Sequence, residues 1–237
     1  MPWTDDLRPA DFGGAARRAT AHEMVRDTLR LAILSGRLKP GIHLVQAELA
    51  VWLDVSTTPV REALRDLLAE GLVRFDAHRG AVVHELDVKE LSDVYEIRKV
   101  LEPLAIRLAA ERISAEQLAL ATEQQAQLDS VKDAGEWVLG NLRFHETLEQ
   151  ASGSPRLASL VRSVQNTASL YVARSVELDP RRIRQGNEEH RRILAAVAKG
   201  DGDRAAALLR SHLDATLRAL VKDDSLPRQM LTHSGSD

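Results

Sequence analysis

Residues 87–222 keep the apolar spacing of amphipathic helices almost without interruption, and this feature constrains the fold more than any other in the sequence. The spacing predicts six helices, at about 88–112, 115–131, 133–151, 155–176, 180–199 and 203–222. The breaks between them are short and rich in turn-forming residues, as at Gly153-Ser154-Pro155. Because short connections place consecutive helices side by side in opposite directions, we predict an all-α antiparallel bundle of about six helices.

The composition agrees with a mainly α protein and excludes several classes of site. Alanine and leucine, which lose little on entering a helix, are abundant, whereas aromatic residues make up only 3% of the chain. The absence of cysteine excludes disulfides, thiolate metal sites and cysteine nucleophiles. No apolar run is long enough to cross a membrane, and the acidic N-terminus does not resemble a signal peptide. We therefore expect a cytoplasmic protein with no membrane partner.

The N-terminal part of the sequence predicts a different module. Three helices are predicted, at residues 22–35, 46–53 and 58–70. Thr58 is the expected N-cap of the third helix, because Pro59 suits the first helical position. Two short β-like segments then flank a turn that contains Gly80. The predicted units are a flexible arm at 1–16, a winged helix-turn-helix at 17–86, the helical domain at 87–222 and a flexible tail at 223–237.

The third predicted helix has the pattern of a DNA-recognition helix, whose exposed side enters the major groove. Thr58, Arg61 and Arg65 share one face of this helix, while Val60, Leu64, Leu67 and Leu68 lie mainly on the inner side. Arginine suits DNA because its planar group donates two hydrogen bonds at once. The alternative is that both arginines form ordinary surface ion pairs with Glu62, Asp66 or Glu70, and helix geometry alone leaves both interpretations open. With a net charge of −3, any DNA affinity must depend on a few such residues.

Several motifs in this module are more specific than the helical pattern. They are ILSGRLKPGIHL at 33–44, ELA at 48–50, VSTTPVREAL at 55–64, EGLV at 70–73 and RGAVV at 79–83. Together they resemble the winged helix-turn-helix of the GntR family of bacterial transcription regulators. The resemblance implies DNA contacts from the third helix at Thr58, Arg61 and Arg65, and from the wing tip at His78, Arg79 and Gly80. The family often carries arginine at the position of Thr57, so Thr57 is a candidate contact that lacks the usual charge.

The helical domain also contains recognisable motifs, and it resembles the FCD ligand-binding domain of the FadR subfamily. The residues that carry this resemblance are EIRKVLEPLAIRLAA at 96–110, NLRFHETLEQASGSPRL at 141–157, EEHRRILAAVAKGD at 188–201 and His212. Asn141 and His145 lie four residues apart and therefore share one helix face, while His190 and His212 belong to the last two helices.

Three histidines and one oxygen ligand would suit a divalent transition metal such as zinc, nickel or manganese, and the family places its metal ligands at these four positions. The alternative for each histidine is a core or surface role without metal. The family usually has aspartate where this chain has Asn141, which removes one negative charge, so we expect weaker metal binding than in an aspartate-bearing relative.

Arg98 is the principal candidate for effector binding. Considered alone, it could simply pair with Glu102, four residues later on the same helix. The resemblance instead implies that Arg98 faces a cavity and meets a ligand carboxylate, so the expected effector is a small organic acid. Asn166, and less directly Arg162, are further candidates for the lining of this cavity.

These features together predict a transcriptional repressor that is controlled by a small carboxylate. A homodimer is expected, because reading the two halves of a palindromic operator in double-stranded DNA requires a two-fold axis. The alternative is a metal-dependent enzyme that uses the three histidines. No further acid–base or nucleophilic group is identifiable beside them, so we predict that the protein is not an enzyme.

Overall fold

The computed structural model describes residues 20–76 and 80–221, and it is mainly α-helical with a two-stranded wing. The elements of the N-terminal module are α1 (Ala21–Leu34), α2 (Gln46–Trp52), α3 (Thr57–Ala69), β1 (Val73–Asp76) and β2 (Gly80–Val83). The helices of the C-terminal domain are α4 (Val88–Arg112), α5 (Ala115–Ser130), α6 (Ala134–Gln150), α7 (Pro155–Leu178), α8 (Arg181–Ala198) and α9 (Gly202–Val221). The predicted arm and tail, and the wing-tip residues His78 and Arg79, lie outside the described residues.

The winged module is built on a core of aliphatic side chains from α1, α2 and α3, with Val25, Leu29, Leu49, Val60 and Leu67 among the buried residues. A capping box begins α1, because the side chains of Thr20 and Glu23 each accept a hydrogen bond from the other residue's backbone N–H. The wing is an antiparallel pair in which Val73 faces Val83 and Asp76 faces Gly80. This arrangement leaves one side of α3 open to solvent.

Two details of α3 differ from the prediction. The helix begins at Thr57 with Ser56 as its N-cap, so Thr58 is already inside the first turn and is not the N-cap. The expectation failed because Pro59 is tolerated throughout the first turn, where its missing N–H has no helical acceptor in any case. Leu68, which is predicted on the inner side, is 45% exposed. The other three predicted inner residues, Val60, Leu64 and Leu67, are buried together with Ala63.

The helical domain contains the six predicted helices, with ends that differ by at most a few residues from the prediction. In this domain α4 packs against α7 and α9, α8 packs against α9, and α6 packs against α5 and α7. Side-chain caps at Asp87, Ser114, Asp133 and Ser154 begin four of these helices. None of the helices within the described ranges is both long and apolar enough to span a bilayer.

The two modules touch where α1 packs against α6 and α7. At this boundary a Cβ atom on Gly135 would lie only 2.8 Å from the Cα of Ser35, so a glycine is required for this close approach. On the other side Gly71, which has φ +75°, lies against Thr167 of α7 with equally little space. The helix-turn-helix therefore contacts the bundle closely at two glycines, one on each side of the boundary.

A buried polar network also joins the modules. The Oε2 atom of Glu90 lies 2.7 Å from Nε2 of His84, which follows β2, and accepts a 2.7 Å hydrogen bond from the hydroxyl of Tyr171 in α7. Burial raises the pKa of Glu90, but these two hydrogen bonds outweigh burial and the pKa is lowered overall. Glu90 is therefore an ionised anchor between the wing and the bundle at neutral pH.

Candidate DNA-reading face and metal centre

The exposed face of α3 carries the four candidate DNA-contact residues of this helix. Thr57, Thr58, Arg61 and Arg65 are all solvent-exposed. Ser56 makes no side-chain hydrogen bond to the first turn, so the N–H groups at this end of the helix also point toward solvent without a cap. This face combines two exposed cationic side chains with backbone donors that no side chain caps.

The two arginines make no hydrogen bond or ion pair with any residue that the structure describes. Two of their three proposed surface partners are engaged elsewhere, because Asp66 lies 2.8 Å from Nε2 of His22 and Glu70 accepts a 2.9 Å hydrogen bond from Arg30. The ion-pair alternative for Arg61 and Arg65 is therefore not what the side chains adopt. In the wing, Gly80 has φ +73° with open space around its α-carbon, which suits a tight turn.

Three buried histidines meet at the centre of the helical domain. His145 of α6, His190 of α8 and His212 of α9 each offer one ring nitrogen, and these atoms lie within 4.8 Å of one another. The Nε2 atoms of His145 and His190 are 3.3 Å apart. Phe144 stacks on the His190 ring with centroids 4.8 Å apart, and the ring of Trp137 lies nearly parallel to it at 6.3 Å. The packing fixes the imidazoles in one converging arrangement.

The protonation of these histidines favours a ligand role. Burial, together with the neighbouring His212, lowers the pKa of both His145 and His190 well below the ordinary value, so both rings are neutral at physiological pH. The Nδ1 atom of His212 lies 2.7 Å from Oε2 of Glu189, which directs the Nε2 atom of the same ring toward the cluster.

Asn141 supplies the fourth donor of the candidate site. It lies one turn before His145 on α6 and is 8% exposed, and its buried Oδ1 atom has no hydrogen-bond partner. Asn141 lines one small cavity with His212 and a second with His145. An unpartnered amide oxygen next to a cluster of imidazoles fits a divalent transition metal, because oxygen and nitrogen donors of this kind are its usual ligands.

Arg98 lies in the same buried region and also makes its expected helical pair. Its Nε atom donates a 2.5 Å hydrogen bond to Glu102, and both side chains are almost fully buried. Two small cavities, each of about 10 Å³, are lined by both Arg98 and Asn141. One of them extends to His212, Arg182 and Thr216. Arg98 therefore faces a cavity and pairs with Glu102 at the same time.

The other cavity reaches Gln165 and Ser169 of α7, and neither of these two cavities is lined by Asn166 or Arg162. Arg162 instead lines a separate, open cavity near Gly153 and Pro155. Asn166 is partly buried next to Gln165, and Arg162 is half exposed and paired with Glu146 at 2.6 Å. The sequence did not indicate Gln165, because it is adjacent to Asn166 and α7 buries residues on more than one of its sides. The helical pattern therefore does not show which of the two residues faces the cavity. A separate cavity of about 220 Å³ between the two modules contains none of the predicted site residues.

Glu149 is a further buried group that sequence reasoning missed. It lies one turn after His145. One carboxylate oxygen of Glu149, one of Glu102 and one ring nitrogen of His145 all lie within 4.8 Å of one another. Burial and the neighbouring Glu102 raise the pKa of Glu149 well above its ordinary value. Its four-residue spacing from His145 is the signal that could have identified it.

Comparison with known proteins places both modules. Residues 21–83 match the family described as bacterial regulatory proteins, gntR family, and residues 93–215 match the FCD domain. The Nta operon transcriptional regulator of Aminobacter aminovorans is 32% identical over 76% of this chain and 85% of its own length. The gluconate operon transcriptional repressor of Bacillus licheniformis is 27% identical over 90% of each chain.

A solved structure has the same fold. Escherichia coli McbR/YncC superposes with a TM-score of 0.74 at 25% identity, over 86% of this chain and 98% of that chain. The matching families and relatives are transcriptional regulators, and the alternative of a metal-dependent enzyme is therefore not retained. With a gntR-type helix-turn-helix followed by an FCD domain, the chain belongs to the GntR family of bacterial transcriptional regulators.

Proposed function

We propose that this protein is a homodimeric repressor whose operator binding is controlled by a small carboxylate in the helical domain. The observation that carries the proposal is the exposed face of α3, where Arg61 and Arg65 have no partner among the described residues. Unpaired arginines on the second helix of a helix-turn-helix are suited to bind base edges or phosphates. Thr57, Thr58 and the uncapped first turn add neutral donors for the phosphate backbone.

An apolar stripe on α4 supports the dimer. Ile97, Val100 and Leu104 are spaced three and four residues apart on one side of the helix, and they are 47%, 65% and 38% exposed. Aliphatic side chains in such a row are costly to leave in water, and a second copy of the same helix across a two-fold axis would bury them. The dimer would then present two recognition helices to the two halves of a palindrome.

The effector site is proposed at the buried region around Arg98 and the three histidines. One relative is the gluconate operon repressor of Bacillus licheniformis, and gluconate belongs to the expected class of small hydroxylated carboxylates. Asn141, His145, His190 and His212 would hold a zinc, nickel or manganese ion, which would add positive charge beside the effector. An effector can shift the dimer between two arrangements only by binding one of them more tightly.

Selection of duplexes from a random library with the full-length protein tests the operator and the dimer together. The expected product is a palindrome whose half-sites lie about one helical turn, ~10 base pairs, apart. Adding single members of a panel of D-gluconate, succinate, L-malate and benzoate should release the selected duplex in a mobility-shift assay. The proposal fails if no sequence is enriched, or if the enriched sequence has a single half-site and no acid of the panel changes its binding.

Metal binding is tested by elemental analysis after soaking the desalted protein in Zn²⁺, Ni²⁺ or Mn²⁺. We expect about one ion per chain, and we expect His190→Gln to weaken binding by at least ~10-fold, because one of four ligands is lost. Asn141→Asp should strengthen it by at least ~10-fold, since a negative charge is restored in a buried site. The matched control is His43→Gln, which changes an exposed histidine of the other module.

Quenching of Trp137 fluorescence by Ni²⁺ gives an independent measure of affinity, because its ring lies parallel to His190. Less than about a tenth of an equivalent in the soaked wild-type protein would rule out the metal part of the proposal, since a buried four-ligand site is expected to fill stoichiometrically.

A further inference from the structure

Arg182, at the start of α8, is a buried cation outside the residues assigned above to DNA, metal or effector binding. It is 8% exposed. Its guanidinium group donates hydrogen bonds to the neutral oxygens of Gln185 at 2.9 Å and Thr216 at 3.0 Å. Its buried Nε atom has no hydrogen-bond partner. No carboxylate in residues 20–76 or 80–221 forms a direct ion pair with it, and Asp179, which interacts with it only at longer range, is paired with Arg181.

This arrangement differs from that of the other buried arginine in the same region. The charge of Arg98 is compensated by Glu102, which accepts hydrogen bonds from two of its nitrogens. Burying an arginine without a counter-charge is costly, because the charge loses its hydration and gains only dipolar contacts in return. An unpaired buried guanidinium with a free N–H therefore points to an anion that binds there.

The position of Arg182 shows where such an anion would lie. Arg182, Thr216 and Ser175 line the same small cavity as Asn141 and His212, which belong to the candidate metal centre. A carboxylate accepting hydrogen bonds from the guanidinium group would thus lie between α7, α8 and α9. Its remaining polar atoms would face the histidine cluster.

We propose that Arg182, rather than Arg98, is the primary anchor for the carboxylate of the effector. The inference rests on the effector site proposed above and deepens it, because it assigns the specificity-determining charge. The cavity holds about 10 Å³, roughly one water, so even formate, the smallest carboxylate, requires the lining side chains to move slightly. Larger acids must displace side chains, and the unpaired charge of Arg182 supplies the attraction that favours this change.

The proposal has a test that needs no ligand. In the ligand-free protein, Arg182→Met should leave the melting temperature unchanged or raise it, since a buried cation without a counter-charge is replaced by an apolar side chain of similar length. The matched control is Arg181→Met, its neighbour in sequence, which is 77% exposed and paired with Asp179. A clear drop in melting temperature for Arg182→Met alone would indicate a structural role and would overturn the proposal.

The ligand-dependent test uses formate, with chloride at equal ionic strength as the reference, and then D-gluconate and succinate. We expect each effective acid to raise the melting temperature of the wild type and of Arg181→Met by mass action. Arg182→Met should lose at least ~30-fold in affinity, and Arg182→Lys should retain part of the binding.

The outcomes separate the two proposals. If an acid stabilises the wild type and Arg182→Met equally, the anchor assignment is wrong and the effector site stands. If neither formate nor any acid of the panel stabilises the wild type, the effector site and the anchor are both wrong.

Discussion

Replacing Arg61 and Arg65 together by alanine is expected to weaken binding to the selected operator by at least ~100-fold, without loss of folding. The reason is that a good bidentate arginine contact contributes about 1–3 kcal/mol of binding free energy, and two are removed. Both side chains are exposed and lack partners among the described residues, so their truncation removes no native contact. Fluorescence anisotropy with a labelled operator duplex measures the dissociation constant, and circular dichroism monitors the fold.

The control must remove the same charge from another surface. Arg184→Ala combined with Arg210→Ala does so, because both residues are exposed on the helical domain. This pair should change operator affinity only slightly, and mainly at low salt, through the general field of the protein. If both double variants bind the operator like the wild type, α3 does not read DNA through this face. If both double variants weaken operator binding equally, Arg61 and Arg65 act only through the net charge of the protein and not through direct contacts with DNA.

The second large effect is expected at the buried pair of Arg98 and Glu102. Arg98→Met should reduce the free energy of unfolding by about 3–5 kcal/mol, because it leaves Glu102, which is 1% exposed, without its counter-charge. Arg98→Met combined with Glu102→Gln should recover most of this loss, because the glutamine that replaces Glu102 carries no charge. Urea unfolding followed by circular dichroism gives the free energies.

Arg182→Met serves as the internal comparison, since it removes a buried arginine that has no carboxylate partner. The expectation for Arg98 is wrong if Arg98→Met and Arg182→Met have the same stability, or if the double variant is no more stable than Arg98→Met. Equal stability would mean that the Arg98–Glu102 pair has no net effect on folding.

Much of the fold could be predicted because its signals are local. The helical period from Val88 to Val221, with Gly and Pro at the breaks, is a property of each segment by itself, and all six helices were predicted correctly in kind. The start of α3 was misplaced by two residues because capping depends on the competition between Ser56, Thr57 and Thr58, which have similar chemistry. The exposure of Leu68 depended on how α1 and α2 cover α3, which no local pattern reveals.

The candidate site was only partly accessible from the sequence. Asn141, His145, His190 and His212 stood out through motifs, and the structure clusters the three histidines and places Asn141 in the cavities that adjoin His145 and His212. Arg182 did not stand out, because it is one of three arginines among residues 181–184 and its neighbours are exposed. Which arginine is buried depends on the rotation of α8 against α9, and hence on tertiary packing. A sequence pattern therefore identifies residues with rare chemistry more readily than common charged residues in unusual surroundings.

The glycine contacts between the modules have a mechanical consequence. At Gly135 and Gly71 the bundle and the winged module approach so closely that neither glycine could carry a side chain, and only the short side chains of Ser35 and Thr167 lie between the two modules there. A shift of α6 or α7 must therefore be transmitted to α1 and to the start of the wing as a displacement of the whole module. The recognition helix lies beyond this contact, so a small tilt at the glycines changes the distance between the two recognition helices of a dimer. Operator spacing would then be set by two residues whose only contribution is the absence of a side chain.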